Sequence, residues 1–191
     1  MFEILEKKIS EKISLTEAEF ELAKTLFIPK KIRKKQYLLQ EGDLCKYLAF
    51  VEKGILRSYS VDEKGNEHVI QFALEGWWIA DSYSFLTGEP SAYNIDALED
   101  AELLLLSKSA NEKLFDSIPK FERYFRFLMQ NNMIAMQRRL LGSLSQSAEE
   151  KYTKLSQSYP EIIQRVPQHL IASYLGVTPE TLSRIRKRRN S

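Results

Sequence analysis

The residues best suited to chemistry lie near the C-terminus, where residues 168–187 have the spacing of two helices joined by a tight turn. Gln168 would open the first helix, Ala172 stands where the helices must approach closely, and Gly176 stands where the chain must turn with a positive φ. Thr178 and Pro179 predict an N-cap and the first residue of a second helix, because proline lacks an N–H that would have no partner there. A small core would lock the pair: Ile171, Leu175, Val177, Leu182 and Ile185.

The polar residues at the start of this second helix could reach base edges or phosphates in a DNA major groove. An ordinary pair of surface helices is the alternative. The small residue, the glycine, the capped restart and a basic tail all fall in register, which favours a DNA-binding helix-turn-helix. The candidate side chains are Thr178, Glu180, Thr181, Ser183 and Arg184, followed by Arg186, Lys187 and Arg188.

The net charge of +2 conceals an asymmetry along the chain. From Gln164 to the end there are six basic residues, Arg189 among them, against one acid, so the rest of the chain is net negative. A basic terminus beside such a motif is the expected footprint of phosphate binding. A second basic run, Lys30-Lys31-Ile32-Arg33-Lys34-Lys35, is usually a solvated strand edge or loop, with contact to DNA as the alternative.

Composition and motif content exclude several classes of protein. The 191 residues allow one large or two small domains, and no apolar run approaches the ~20 residues of a membrane span. The N-terminus does not read as a signal peptide, and a single cysteine, Cys45, fits a reducing cytoplasm. His68 and His169 lack clustered partner ligands, and no phosphate-cradling loop or nucleophile set is present. We therefore expect a cytoplasmic protein that is not an enzyme, with no metal, no cofactor and no membrane contact.

Residues 30–107 predict a β-sandwich or jelly roll, because glycines 42, 54, 65, 76 and 88 recur at steps of 11 or 12. Residues 62–66 form a polar turn between two strands, and residues 103–106 read as a buried strand. Alternation predicts that the strands beside the turn each present one apolar face. These faces are Ile55, Arg57, Tyr59 and Val61 before the turn, and Ile70, Phe72 and Leu74 after it.

A long helix is predicted from Pro119 to Gly142, and an apolar stripe runs along it. Such a stripe packs either on its own domain or on the same helix of a second chain. We favour the second, because helix-turn-helix proteins usually bind DNA as two-fold dimers. A further helix over residues 148–158 would be stopped by Pro160. The stripe consists of Phe125, Met129, Met133, Met136, Leu140 and Leu144.

This order of segments resembles the Crp/Fnr family of bacterial transcription regulators over roughly residues 15–187. The specific motifs are QEGD at 40–43, GWWIADSYSFLTGEPSAYNIDALEDAELLLL at 76–106 and IASYLGVTPETLSRIRK at 171–187. The resemblance implies an α+β fold: an N-terminal double-stranded β-helix or jelly roll like a cyclic-nucleotide-binding domain, a long dimerisation helix and a truncated C-terminal winged helix-turn-helix. We assign residues 1–115 to the β-roll sensor, 116–145 to the dimerisation helix and 146–191 to the DNA-binding domain.

The resemblance also implies roles for single residues. The family's base-reading positions fall on Pro179, Glu180 and Arg184, and its phosphate anchors on Gln168, Thr178, Thr181 and Ser183. The family often has arginine where Pro179 stands, so one base contact would be missing. Few residues follow the second helix, which predicts a shortened or absent wing.

The sensor departs further from the family pattern. The segments that would hold a cyclic nucleotide are Ala80-Asp81-Ser82 and Pro90-Ser91-Ala92, with proline where the family's phosphate-pairing arginine is expected. No lysine, arginine or histidine occurs from Val69 to Ser107, against seven acids, and a buried phosphodiester without a cation is costly. Arg57 could supply a cation from another strand. Without one, the pocket would be empty, filled by Trp77, Trp78 and Tyr83, or built for an uncharged small-molecule effector.

The sequence thus predicts a dimeric, sequence-specific transcription regulator that binds a palindromic operator in double-stranded DNA. The homodimer would form through the 116–145 helix, RNA polymerase is a further candidate partner, and an effector in the β-roll could re-aim the two DNA-binding modules. The alternative is a small-molecule-binding module whose DNA-binding end is degenerate, which Pro179 and the short wing would support.

Overall fold

The computed structural model describes residues 1–190, with side chains through Arg188. The side chains of Arg189 and Asn190 and all of Ser191 lie outside the described residues. The described helices are α1 (Glu3–Ser10), α2 (Glu17–Lys24), α3 (Ser82–Thr87), α4 (Lys108–Ser117), α5 (Lys120–Ser145), α6 (Ala148–Ser158), α7 (Pro160–Arg165), α8 (Gln168–Leu175) and α9 (Pro179–Asn190). The strands are β1 (Ile28–Ile32), β2 (Tyr37–Leu39), β3 (Tyr47–Lys53), β4 (Leu56–Val61), β5 (Glu67–Ala73), β6 (Trp78–Ile79), β7 (Asn94–Ala97) and β8 (Ala101–Ser107).

The strands form two four-stranded antiparallel sheets, in the orders β1-β8-β3-β6 and β2-β7-β4-β5. An apolar core between the sheets includes Ala49, Leu56, Ile95 and Leu103, each at most 1% exposed. The jelly roll predicted from the glycine spacing is confirmed. Gly54 shows why glycine is needed at one of these turns, since its φ is 92° and a Cβ there would lie 2.7 Å from the carbonyl oxygen of Asp100.

The β4–β5 hairpin contains a bulge that the sequence pattern does not reveal. Its polar turn lies at residues 62–66 as predicted, but the register shifts between Ser58 and Tyr59, so that Ser58 pairs with Gln71 and Tyr59 pairs with Val69. Val69 therefore shares the buried outer face with Phe72, and the prediction that Ile70 lies on that face is wrong.

The outer face of the first sheet is covered by helices, three of which, α1, α2 and α4, the sequence analysis did not predict. Helices α1 and α2 pack with α4 and the start of α5 against Phe50 and Leu104 of β3 and β8. Helix α1 has no side-chain N-cap of its own. The Glu52 carboxylate takes the role of an N-cap, because it accepts hydrogen bonds from the N–H groups of Ile4 and Leu5, at 3.3 and 2.7 Å. Burial raises the pKa of Glu52 in spite of these hydrogen bonds.

The outer face of the second sheet is covered by α6 to α9, which share one hydrophobic core with Tyr59 and Phe72. Helix α6 has the predicted bounds. Pro160, however, begins α7 at the position where its missing N–H is harmless, so the segment after α6 is helical rather than a simple lead into the next motif.

The apolar stripe of α5 is partly buried against its own domain and partly exposed, so each of the two environments considered in the sequence analysis applies to a part of the helix. Phe121, Tyr124 and Phe125 are buried against the β-roll. Beyond them the stripe is exposed, and Gly142 lies inside the helix rather than at its end. The exposed members are Met129, Met133, Met136, Leu140 and Leu144, between 52 and 78% exposed. Across the described residues, none of the helices combines the length and the apolar character needed to cross a membrane.

Candidate nucleic-acid interface

The turn between α8 and α9 is built by its small residues. Gly176 ends α8 with φ 67°, the left-handed conformation that glycine adopts without strain, and the N–H of Val177 donates to the carbonyl oxygen of Ala172 at 3.0 Å. Ala172 is fully buried, and Leu182 of α9 is fully buried in the core that α8 and α9 share. The geometry is that of a helix-turn-helix.

Thr178 caps α9 as its position before Pro179 predicts. Its Oγ1 accepts from the N–H of Thr181 at 3.2 Å and donates to Thr181 Oγ1 at 3.1 Å. The Thr178 hydroxyl is therefore used within the motif. The hydrogen of the Thr181 hydroxyl stays available to an acceptor outside the protein.

One polar stripe runs along α9 opposite its buried residues Leu182 and Ile185. Its members are exposed and recur at helical spacing, so that they share one face: Glu180, Arg184, Lys187 and Arg188. The backbone N–H of Glu180, the Thr178 hydroxyl and the charge of Arg184 lower the pKa of Glu180, which keeps it ionised at neutral pH. We call these four residues the α9 stripe.

The other candidate residues lie around this stripe. Pro179 is exposed at the front of α9. Ser183 is half-buried beside the stripe, and Arg186 is half-buried nearer the side of α9 that carries Leu182. Gln168 is exposed as the first residue of α8, which no side chain caps, so the first N–H groups of α8 have no side-chain acceptor.

The helix-turn-helix is fixed to the outer face of the second sheet. Ser173 of α8 accepts from the N–H of Val69 at 3.0 Å and donates to the carbonyl oxygen of Glu67 at 2.7 Å. The rings of Tyr174 and Phe72 lie 5.1 Å apart. Arg139 of α5 donates to the carbonyl oxygens of Val69 and Ile70 and so joins the long helix to the same strand.

Arg165, at the end of α7, completes this attachment. Its guanidinium donates to the Glu75 carboxylate at 2.8 and 2.9 Å and to the Glu99 carboxylate at 2.6 and 3.1 Å. The sequence analysis counted Arg165 among the bases available to phosphate, but the structure commits it to these two acids.

The six residues proposed to line a ligand pocket surround a closed hydrogen-bond network. Asp81 and Ser91 are buried, Ala80 is half-buried, and Ser82, Pro90 and Ala92 are exposed. Asp81 caps α3 by accepting from the N–H of Ser84 at 3.1 Å, and the Ser91 hydroxyl lies 2.8 Å from its second carboxylate oxygen. The Asp81 carboxylate thus already accepts from the N–H group of Ser84, which an anionic ligand at the start of α3 would need as a donor.

The additional groups suggested for the pocket lie elsewhere. Arg57 is on the outer face of the second sheet, where it pairs with Asp96 and Glu67 and so does not reach a ligand between the sheets. Trp78 packs on Phe50 and Phe125, and Trp77 packs on Tyr159. Tyr83 is 59% exposed and donates to Glu89. Arg57 therefore supplies no cation to a ligand between the sheets, and Tyr83 does not fill that space, since its side chain is exposed on α3. Trp77, by contrast, packs against the edge of the core between the sheets as well as on Tyr159.

Comparisons with known proteins agree with this architecture. Residues 29–117 match the family described as "Cyclic nucleotide-binding domain". The chain is 28% identical over 184 residues to a fumarate and nitrate reduction regulatory protein of Vibrio cholerae, covering 90% of this chain and 73% of that one. FixK2 from Bradyrhizobium japonicum superposes with a TM-score of 0.70 at 20% identity, covering 85 and 83% of the two chains. The catabolite activator protein of Thermus thermophilus gives 0.56 at 21% identity, covering 92 and 84%.

The chain is similar to Crp/Fnr transcriptional regulators over most of its length, and these matches support its assignment to that family. The two structural likenesses establish the fold, and the named regulatory relatives establish the type of function, which is regulation of transcription rather than catalysis. DNA binding follows for a Crp/Fnr regulator from that family. No group of three or more histidine, cysteine, aspartate or glutamate side chains that could hold a metal ion is found in the described part of the chain.

Proposed function

We propose that this Crp/Fnr regulator is a cytoplasmic homodimer that binds a palindromic operator sequence-specifically in double-stranded DNA. The observation that carries the proposal is the α9 stripe, four charged side chains exposed on one face of a helix whose opposite face is buried. An α-helix of this kind fits the major groove, where base edges differ for every base pair.

Base reading is assigned to the front of the α9 stripe. Glu180 is ionised and accepts from the amino group of cytosine, and Arg184 donates two hydrogen bonds to guanine O6 and N7. Each such pair discriminates against the wrong base by ~1–3 kcal/mol. Pro179 has no hydrogen-bond donor. In the first two turns of α9 we therefore assign base contacts to Glu180 and Arg184 only.

Phosphate contacts are assigned to the groups around the readers. Thr181 has a free hydroxyl hydrogen, Gln168 stands at the uncapped start of α8, and Ser183 lies beside the stripe. The Thr178 hydroxyl is used to fix Thr181, so we assign Thr178 an indirect role rather than a phosphate contact of its own. The basic residues Arg186, Lys187 and Arg188 supply the sequence-independent part of the affinity.

Dimerisation is assigned to the part of α5 beyond Phe125. An apolar stripe of about four turns whose side chains are more than half exposed is covered well by the same stripe of a second copy, since a two-fold interface is self-complementary. A two-fold dimer would present two α9 helices to half-sites about one helical turn, ~34 Å, apart.

The β-roll is proposed to act without a cyclic nucleotide bound in the family's usual way. The buried Asp81 carboxylate would repel a phosphodiester at the start of α3, and Arg57, the cation considered from another strand, is paired on the outer face. An uncharged effector remains compatible with the site, and RNA polymerase remains a candidate partner of the DNA-bound dimer.

The test is a selection of bound duplexes from a random library, followed by affinity measurements on the selected site. We expect an enriched inverted repeat. Arg184→Ala should lower discrimination at one symmetric base-pair position by ~1–3 kcal/mol, whereas Arg188→Ala should weaken all sequences alike and lower the salt slope by ~0.9 for each phosphate contact.

Two outcomes would contradict the proposal. Equal loss of discrimination in both variants would remove the division between base reading and phosphate binding. Absent or salt-insensitive DNA binding, together with stabilisation by a small molecule, would favour the alternative of a ligand-binding module whose DNA-binding end is degenerate.

A further inference from the structure

One side chain of α5 contacts both the β-roll and the DNA-binding module. Arg139 donates to the carbonyl oxygen of Val69 at 3.1 Å and to that of Ile70, both on the edge strand β5. Its guanidinium also lies over the ring of Tyr174 in α8, 4.5 Å from the ring centroid. An arginine can make these contacts together because its planar group has several N–H donors in its plane and a face that stacks on aromatic rings. Arg139 therefore joins three elements, α5, β5 and α8, at one point.

The edge strand β5 holds α8 through the same residue that Arg139 contacts. An edge strand presents backbone groups that no neighbouring strand pairs. Ser173 of α8 accepts from the N–H of Val69 at 3.0 Å and donates to the carbonyl oxygen of Glu67 at 2.7 Å. Val69 thus bonds α8 through its N–H and α5 through its carbonyl oxygen. The position of α8 relative to α5 is therefore fixed through one residue of the sheet as well as through the Tyr174 ring.

The covalent connection between α5 and the module does not by itself fix their angle. α5 ends at Ser145 and α6 begins at Ala148, and the backbones of Gln146 and Ser147 between them are extended. A few residues of this kind can act as a hinge, because a change in their dihedral angles reorients everything that follows. The hydrophobic core shared by α6 to α9 is formed with strand residues, and in the described part of the chain no α5 side chain belongs to it. The contacts of Arg139 therefore restrain the angle that this link leaves open.

We propose that Arg139 is a positioning residue that fixes the angle between α5 and α9 and thereby selects the spacing between the operator half-sites. This inference rests on the proposed function. Helices α8 and α9 share a buried core, so a contact that holds Tyr174 also holds α9. In a two-fold dimer through α5, the angle of each α9 to its α5 sets the distance between the two α9 helices. One added base pair moves a half-site by ~3.4 Å and rotates it by ~34°, so a fixed angle favours one spacing.

The experiment measures the affinity of the full chain for duplexes that carry the selected half-sites at different spacings. The set contains the selected operator, operators with a base pair added or removed at the centre, and a duplex with a single half-site. The test variant is Arg139→Met, which keeps an unbranched side chain but removes the donors and the charge. The matched control is Arg138→Met, because Arg138 is the adjacent exposed arginine of α5 and has no hydrogen bond or ion pair among the described residues.

We expect the wild-type protein to prefer the selected spacing over its neighbours by ~tenfold or more, because a misplaced half-site loses at least one base contact. Arg139→Met should bind the single half-site with wild-type affinity, since α9 itself is unchanged. Its preference among the spacings should fall to about threefold or less, because the released modules adopt a range of angles. Arg138→Met should keep the wild-type preference.

A second variant tests the same contact from the side of the module. Tyr174→Leu removes the ring under Arg139 but keeps an apolar side chain beside Phe72, whose ring lies 5.1 Å away in the native chain. It should reduce the spacing preference as Arg139→Met does, and the double variant should reduce it no further, as expected for two members of one contact. Thermal melting and sedimentation equilibrium check that each variant is folded and dimeric.

The contrary outcomes are distinct. An equal loss of affinity for every duplex, including the single half-site, would show that Arg139 only stabilises the module, and would overturn the inference. An unchanged spacing preference in Arg139→Met, the same loss of preference in Arg138→Met, or a folded Arg139→Met that no longer dimerises would also overturn it. Wild-type binding that is equally tight at every spacing would overturn the inference and leave base reading by α9 intact. Failure of the wild type to bind any of the duplexes would overturn the proposed function as well.

Discussion

The exposed half of α5 gives the most direct quantitative prediction. Leu140 and Leu144 are 62 and 78% exposed, and fully burying a leucine side chain stabilises by ~1.5–3 kcal/mol. Covering most of this surface with a partner helix should stabilise the dimer by ~1–2 kcal/mol per leucine, and an alanine in the same place would retain only part of that stabilisation. Because a two-fold dimer contains four such side chains, Leu140→Ala/Leu144→Ala should weaken dimerisation by ~4 kcal/mol, a factor of about 1,000 in Kd.

Sedimentation equilibrium over a range of protein concentrations measures this change. The double variant should remain folded, because neither leucine belongs to the core of the chain itself. Leu22→Ala/Leu86→Ala is the matched control, since these leucines are 42 and 61% exposed outside α5. A double variant that dimerises with the wild-type Kd, or a control that dissociates equally, would refute the assignment of this face to the dimer.

Three further predictions concern the attachment of the DNA-binding module, one β-turn and the sensor. Arg165→Met should lower the free energy of unfolding by ~2 kcal/mol in urea titrations, about 1 kcal/mol for each part-exposed carboxylate it contacts. Burial alone would raise the pKa of Glu75, but its hydrogen bonds, led by that from Arg165, lower the pKa below the usual 4.5. The stability that Arg165 contributes through Glu75 is therefore present above about pH 4.5 and is lost as the pH falls further. An unfolding free energy that differs between wild type and variant by the same amount at every pH would contradict this. Gly54→Ala should be clearly more destabilising than Gly65→Ala, because both residues have positive φ but only Gly54 lacks room for a Cβ. Calorimetric titration with cyclic AMP should give no saturable binding, and saturation at micromolar concentrations would contradict the proposed role of the β-roll.

Much of the fold is determined by local signals that the sequence displays. The helix-turn-helix could be predicted because Ala172, Gly176 and Thr178 each meet a local steric or capping requirement, which tertiary contacts reinforce rather than override. The turn at residues 62–66 and the bounds of α6 follow in the same way from polar turn residues, a capping serine and a proline.

The features that could not be predicted depend on partners distant in sequence. Helix α1 is capped by Glu52, some 47 residues away, which no local pattern shows. The bulge in the β4–β5 hairpin turns Val69 instead of Ile70 toward the DNA-binding module, and the alternation of residue types in the sequence does not show this shift of register. For the candidate site, residue types at the front of α9 could be assigned from the sequence, but the commitment of Arg165 to two acids could not, because a free arginine and a paired one look alike in sequence.

The position of the module on the second sheet supplies a physical route from the β-roll to DNA. In β4, Leu56 points into the core between the sheets, whereas Tyr59, together with Ile55 just before the strand, belongs to the core shared with α6 to α9. One strand thus forms the floor of both cores, and close-packed cores transmit displacement rather than absorb it. Any rearrangement between the sheets that shifts β4 must move the surface on which Ser173 and Tyr174 rest, and with it the direction of α9. In a dimer held by α5, a small rotation of each α9 changes the spacing of the two helices, which is the quantity that a palindromic operator measures.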